Sequence, residues 1–243
     1  MERDQTLIEH LHDLKKMVVR IVFIVLAGFF ACIYFSEYIF DFMRAPVLPF
    51  LNGHGLIFLA PIDKFMAHMK VSFLAGVILT CPIWLYQIWL FVAPGLYKQE
   101  KVYSVYFIVF GTILFLMGVA FVYWLIFPMA FKYLFGFGGN VDVPMISISE
   151  YVQFFITTTL LFGLAFEMPL ILVILGMLGI IDATFLKQKR RVALFLISVL
   201  SAVVTPADAV SMIAMLIPMY ILYEISIILV GILHKRRSEL DVA

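Results

Sequence analysis

The stretch YVQFFITTTLLFGLAFEMPLILVILGMLGII, Tyr151 to Ile181, carries one charge, Glu167, near its middle. As a helix rising about 1.5 Å per residue, it puts either end more than ~20 Å from that carboxylate, so it reads as a membrane span with an acid at mid-depth. An ionised side chain in hydrocarbon costs roughly 3 kcal/mol on insertion scales, and such residues face a cavity, a partner or a protonating neighbour. Pro169 lacks an N–H and is expected to release the carbonyl of Ala165 beside the same carboxylate. Two readings stand at this point. Glu167 is either a protonated acid bonded to a neighbouring helix of its own bundle, or a functional polar site inside the membrane.

The whole chain has the same character. Apolar residues make up 64% of its 243, charged residues 14%, and the mean hydropathy is +1.08, which places it among integral membrane proteins. The net charge of +1 hides a segregation of charge into short loops and argues for no nucleic-acid partner. Cys32 and Cys81 both fall in predicted spans, where a thiol packs as a small hydrophobe, and no redox role is assigned to them.

Downstream of the central span, Lys187, Lys189, Arg190 and Arg191 lead into a short apolar run, Val192 to Val204. It reaches about 20 Å as a helix, less than a ~30 Å hydrocarbon core. A turn at Thr205, Pro206, Ala207 and Asp208 precedes a last span, about Val210 to Leu233, broken by Pro218 and Glu224. Its charge-free part, Ala209 to Tyr223, is short as well. Two undersized neighbours imply a thinned bilayer or recruited partner helices, unless they are ordinary short spans covered by their own bundle.

Upstream, Gly136 to Glu150 is a loop whose GFGGN is a turn signal. A span of about Val102 to Phe131 precedes it, and the polar turn Val92 to Lys101 joins that to a span of about Lys70 to Phe91. The loop Ser36 to Met69 holds Pro46, Pro49, Gly53, Gly55 and Pro61 among apolar runs, so an ordered cap with short helices is expected. The first span is about Met17 to Phe35. It reads as a retained anchor, because Phe29, Phe30 and Ala31 before Cys32 are a poor match to a lipoprotein cleavage site. Residues 1–16 place Leu7, Ile8, Leu11 and Leu14 at helical spacing opposite Glu9, His12 and Asp13, the pattern of an interfacial helix. His10 and His12 point to different sides of that helix, which argues against a metal there.

The expected architecture is therefore an all-α polytopic membrane protein in one domain, 1–243. Its spans are about 17–35, 70–91, 102–131, 151–181, 192–204 and 210–233. Thirteen Lys and Arg lie on the side of both termini, against Arg44, Lys64, Lys70 and Lys132 on the other, so the positive-inside rule makes both termini cytoplasmic. Trp84, Trp89 and Trp124 are candidate interfacial anchors, though packing accounts for them equally well. No phosphate-binding loop, H-E-x-x-H run or Cys/His cluster occurs, and no nucleophile–base pair is visible, so no cofactor, metal or enzymatic activity is expected. An ion-coupled secondary transporter of a small solute, relaying protons through Glu167 and Glu224, is the alternative function. The lack of a visible inverted repeat counts against it.

The run Tyr86-Gln87-Ile88-Trp89-Leu90-Phe91-Val92-Ala93-Pro94-Gly95-Leu96-Tyr97-Lys98-Gln99-Glu100 resembles the YQ-x-W-x-F-x-x-P-G-L-x-x-x-E signature of the TatC family, the multispanning core of the twin-arginine protein translocase. Further matches follow in order: His10-Leu11 with Leu14, Ala45-Pro46, Phe127-Pro128, Gly163 with Phe166-Glu167 and Pro169, Thr205-Pro206 with Asp208, and Ile217-Pro218 with Tyr220 and Glu224. The family's H-L-x-E-L-R-x-R is here His10-Leu11-His12-Asp13-Leu14-Lys15-Lys16-Met17, with a shorter acid and lysine for arginine.

The resemblance implies six transmembrane helices in a concave, glove-like bundle in a bacterial-type inner membrane. It also implies binding of the twin-arginine signal peptides of folded cargo, and export with TatA and TatB at the expense of the proton motive force. Several copies per complex and contact with membrane lipid go with it. Two consecutive arginines ask for anionic or polar partners, and the expected set is Asp13, Lys15, Phe91 and Glu100. For a partner span, Glu167 is the expected docking residue, with Asp208 and Glu224 as weaker candidates.

Overall fold

The computed structural model describes residues 7–51, 53–95, 104–136, 145–204 and 209–240. Two helices build the first third of the bundle. Helix α1 (Leu7–Ile33) packs on α3 (Pro61–Leu79), and the crossing is tight because Gly28 faces Gly76. A Cβ on Gly76 would lie 2.5 Å from the backbone nitrogen of Phe29, so the backbones meet with no side chain between them, the usual way membrane helices associate. α1 is one continuous helix. The expected boundary at Met17 between a surface helix and a first span is absent, because the polar first turns carry good helix formers and neither Gly nor Pro interrupts them.

Between α1 and α3 lies the expected ordered cap: α2 (Ser36–Arg44), a 3₁₀ turn at Leu48–Phe50, and an extended strip that meets the start of the central span. Ile57 accepts from Ile148 N–H at 2.7 Å and donates to Ile146 O at 3.0 Å. Two phenols complete the end of α2, where carbonyls run out of helical donors. Tyr123 donates to Phe42 O at 2.9 Å and Tyr151 to Met43 O at 2.7 Å. Asp63 then ties the cap to the bundle. It accepts from Leu59 N and Ala60 N at 3.0 and 2.8 Å ahead of α3, while its other oxygen takes the Ser149 hydroxyl at 3.0 Å. α3 therefore starts at Pro61, two turns before the Lys70 expected from apolarity alone.

Prolines bend the spans where they remove a donor. α3 and α4 (Cys81–Val92) meet at 57°, with Thr80 between them and Pro82 in the first turn of α4. Other groups serve the carbonyls at the break: the Thr80 hydroxyl donates to Gly76 O at 2.7 Å and Trp84 Nε1 to Val77 O at 3.1 Å. Trp84 and Trp89 are thus buried in the bundle rather than anchoring at an interface, whereas Trp124 is 72% exposed. The next span joins α5 (Ser104–Phe121) to α6 (Phe127–Gly136) through a π-helical turn, Val122–Ile126, ahead of Pro128. Phe127 from this segment stacks on Phe155 at 4.6 Å in the main core.

The central span is α7 (Ile148–Phe166) followed by α8 (Met168–Met177), and it is interrupted at Glu167. α9 (Ala183–Gln188) is capped by Asp182, whose carboxylate accepts from Phe185 N at 2.6 Å. α10 (Arg190–Val204) has 15 residues, as short as expected, but α11 (Ala209–Leu240) runs on for 32. Pro218 sits inside α11 without breaking it, so only one of the two last helices is undersized. Among the described residues four helical stretches are long and apolar enough to cross a membrane, and the bent α3–α4 pair makes a fifth.

Candidate functional site

On α1, Asp13, Lys16, Met17 and Arg20 recur at intervals of three and four, which puts them on one helical face. That face meets Gln87, Leu90, Phe91 and Pro94 at the end of α4, and the eight residues enclose a groove of about 310 Å³. The structure thus brings together Asp13 and Phe91. Lys15 is exposed and does not line the groove, because a residue two on from Asp13 lies about 200° round the helix, on the far side from that face. Lys16 and Arg20 stand in its place, and Gln87 adds an amide. Sequence reasoning missed these three, although the spacing from Asp13 and the glutamine of the signature were both in view. Glu100 lies outside the described residues.

Glu167 occupies the break between α7 and α8, and its side chain is turned into the bundle. It is 5% exposed, and neither carboxyl oxygen has a hydrogen-bond partner among the described residues. A Cβ on Gly111 of α5 would stand 3.4 Å from Oε2, and the same point is walled by Leu85 of α4 and Leu170 of α8. The carboxyl is therefore enclosed by three helices. The expected bond to a neighbouring helix is not made, and the carbonyls of Leu164 and Ala165 are met by the N–H of Glu167 itself. Pro169 frees less than the sequence suggested, because the helix restarts at Met168 instead of continuing through the break.

Glu224 of α11 is anchored differently. One oxygen pairs with Arg190 at the start of α10 at 2.7 Å and the other accepts the Tyr220 hydroxyl at 3.0 Å. A carboxylate fixed in an ion pair near a helix end serves as a strut between α10 and α11, a poor fit to the relay that the transporter reading asks of it. Asp208 lies outside the described residues.

Fold and site together define a class: a helical, multi-pass membrane protein with a charged groove where two helices end together and a partnerless carboxyl sealed at mid-span. Comparison with known proteins gives that class a family. The family model for the Sec-independent protein translocase protein (TatC) matches residues 9–218. The Sec-independent protein translocase protein TatC of Campylobacter jejuni is 41% identical over 225 residues, covering 91% of each chain. That of Helicobacter pylori strain J99 is 40% identical over 222 residues, covering 90% of this chain and 86% of its own. A crystal structure of the twin arginine translocase receptor TatC superposes with a TM-score of 0.79 at 33% identity, covering 91% of this chain and 98% of that one. The chain belongs to the TatC family and is a core subunit of a twin-arginine protein translocase.

Proposed function

We propose that the groove between α1 and α4 receives the twin-arginine motif of signal peptides on the cytoplasmic side of a six-span subunit whose termini are both cytoplasmic. The observation that carries this reading is the convergence of Asp13 and Phe91 on one cleft. A carboxylate pairs bidentately with a guanidinium, and the Phe91 ring offers apolar surface to the residues beside the arginines. Lys16 and Arg20 repel guanidinium. They lie deeper along α1 than Asp13, by up to about 10 Å at the helical rise, and so confine the arginines to the mouth of the groove near Asp13. Crosslinking of a twin-arginine peptide to the purified chain tests the assignment. Asp13→Asn and Glu100→Gln are expected to abolish discrimination between Arg-Arg and Lys-Lys peptides, and unchanged crosslinking and discrimination in both would overturn it.

Glu167 we assign to docking of the single-span partners, TatA and TatB, during export driven by the proton motive force. Because its carboxyl is enclosed, a partner span gains access only if α8 swings at the break on either side of residue 167. A hydrogen bond there is worth about 0.6 to 2 kcal/mol in a membrane, so it sets register more than affinity.

A further inference from the structure

The opposite end of the bundle carries a second, larger and shallower groove, its exposed lining mostly apolar with a few polar groups, that signal-peptide binding does not use. Between α3 and the first turns of α7, a cleft of about 570 Å³ is lined by Lys70, Ser149, Glu150, Gln153, Phe154 and Thr157. Its wall is fixed by the Ser149 to Asp63 hydrogen bond. The Lys70 ammonium reaches one acceptor, Gln153 Oε1, at 3.5 Å, a long contact for an N–H donor. Gln153 in turn donates to Thr157 Oγ1 at 3.2 Å. Neither Lys70 nor Glu150 belongs to an ion pair among the described residues. An ammonium with N–H bonds to spare and a carboxylate thus stand on the same cleft, which the Gln153 amide and the Thr157 hydroxyl also line. Ser149, Glu150, Gln153 and Thr157 are spread over about 12 Å of the first turns of α7, a depth that spans the headgroup region and the first part of the hydrocarbon.

We propose that this groove binds the headgroup of an ethanolamine phospholipid, its phosphate on the Lys70 ammonium and Thr157 hydroxyl and its ammonium on Glu150. The charge pattern selects among lipids. A glycerol headgroup brings the phosphate without a cation for Glu150, and a choline headgroup brings a cation with no N–H to donate. The orientation proposed above decides only which leaflet supplies the lipid.

Native mass spectrometry of the full chain in mild detergent, titrated with lipids of identical acyl chains, reads this directly. Phosphatidylethanolamine is expected to be retained about tenfold over phosphatidylcholine and phosphatidylglycerol, the scale of one charge-assisted hydrogen bond. Lys70→Gln should lower retention of all three, and Glu150→Gln should erase the preference over both phosphatidylcholine and phosphatidylglycerol. Equal retention by the wild type, a preference for phosphatidylglycerol, or a preference that survives Glu150→Gln would overturn the proposal, and the last of these decides even if Lys70→Gln fails to fold. A photoreactive residue replacing Thr157 in cells should yield lipid adducts; adducts to a single-span protein alone would make the groove a partner seat instead. Since the assay contains no signal peptide and no sidedness, its failure leaves the reading of the α1–α4 groove untouched.

Discussion

Glu167 and Asp63 are both single carboxyls at helix ends, and their surroundings make opposite predictions. Glu167 has no hydrogen bond to lose among the described residues, so its replacement tests function more than folding. Glu167→Gln keeps the volume and hydrogen-bonding capacity, while Glu167→Ala removes both. Docking predicts that the Gln variant keeps most export and TatA crosslinking and that the Ala variant loses both. Equal loss of export in the two variants with crosslinking intact would assign a proton relay instead, and normal export with crosslinking in Glu167→Ala would end the docking idea. Asp63 is the reverse case, a residue whose bonds hold structure. The N–H of Ala60 first, helped by the Ser149 hydroxyl, the N–H of Leu59 and the nearby Lys70 charge, holds its carboxyl below the usual carboxylate range. A depressed folded-state value gives stability that is present above the unfolded value, about 3.9, and is lost as pH falls through the folded one. Thermal melts should therefore show Asp63→Asn less stable than wild type at pH 7, with the gap closing below about pH 3.9. A gap independent of pH would show that the ionised form is not what binds the cap.

At the scale of elements, the sequence made the helices legible and their rotations far less so. Apolar length located the four long apolar stretches and the bent α3–α4 pair, and Pro82, Pro128 and Pro169 fall at or beside departures from regular helix within them. Pro218 shows the limit of that signal, since α11 passes through it. What the sequence withheld was facing. Which side of α1 meets α4 decides between Lys15 and Lys16, and the inward turn of Glu167 depends on Gly111 leaving room on a different helix, a fact that no local pattern encodes. The Gly28–Gly76 crossing is the matching case among contacts, and it can be broken deliberately. Gly76→Leu should separate α1 from α3 and cost at least the ~1–3 kcal/mol of ordinary overpacking, seen as loss of monodisperse protein on size exclusion. Gly136→Ala, which meets nothing within 4 Å among the described residues, is the control expected to leave the protein unchanged. Comparable behaviour of the two variants would remove the crossing as a determinant of the fold.

For the whole molecule, one end gathers α2, the Ile57 bridge and the groove at Lys70, and the other gathers the Asp13 groove and the Arg190–Glu224 pair. α10 is short for a span: its 15 residues rise about 22 Å against a ~30 Å core. The thirteen-to-four bias of Lys and Arg is what supports the proposed orientation, with the Asp13 end on the cytoplasmic side. In a chain with Cys32→Ala and Cys81→Ala, single cysteines can be introduced by Gly55→Cys and Met145→Cys at the cap end and by Lys15→Cys at the other, all at exposed positions. An impermeant thiol reagent is expected to label the first two in intact cells and the third only after permeabilisation. Labelling of Lys15→Cys in intact cells with protection of both others would invert the molecule, placing the Asp13 groove out of reach of a signal peptide arriving from the cytoplasm.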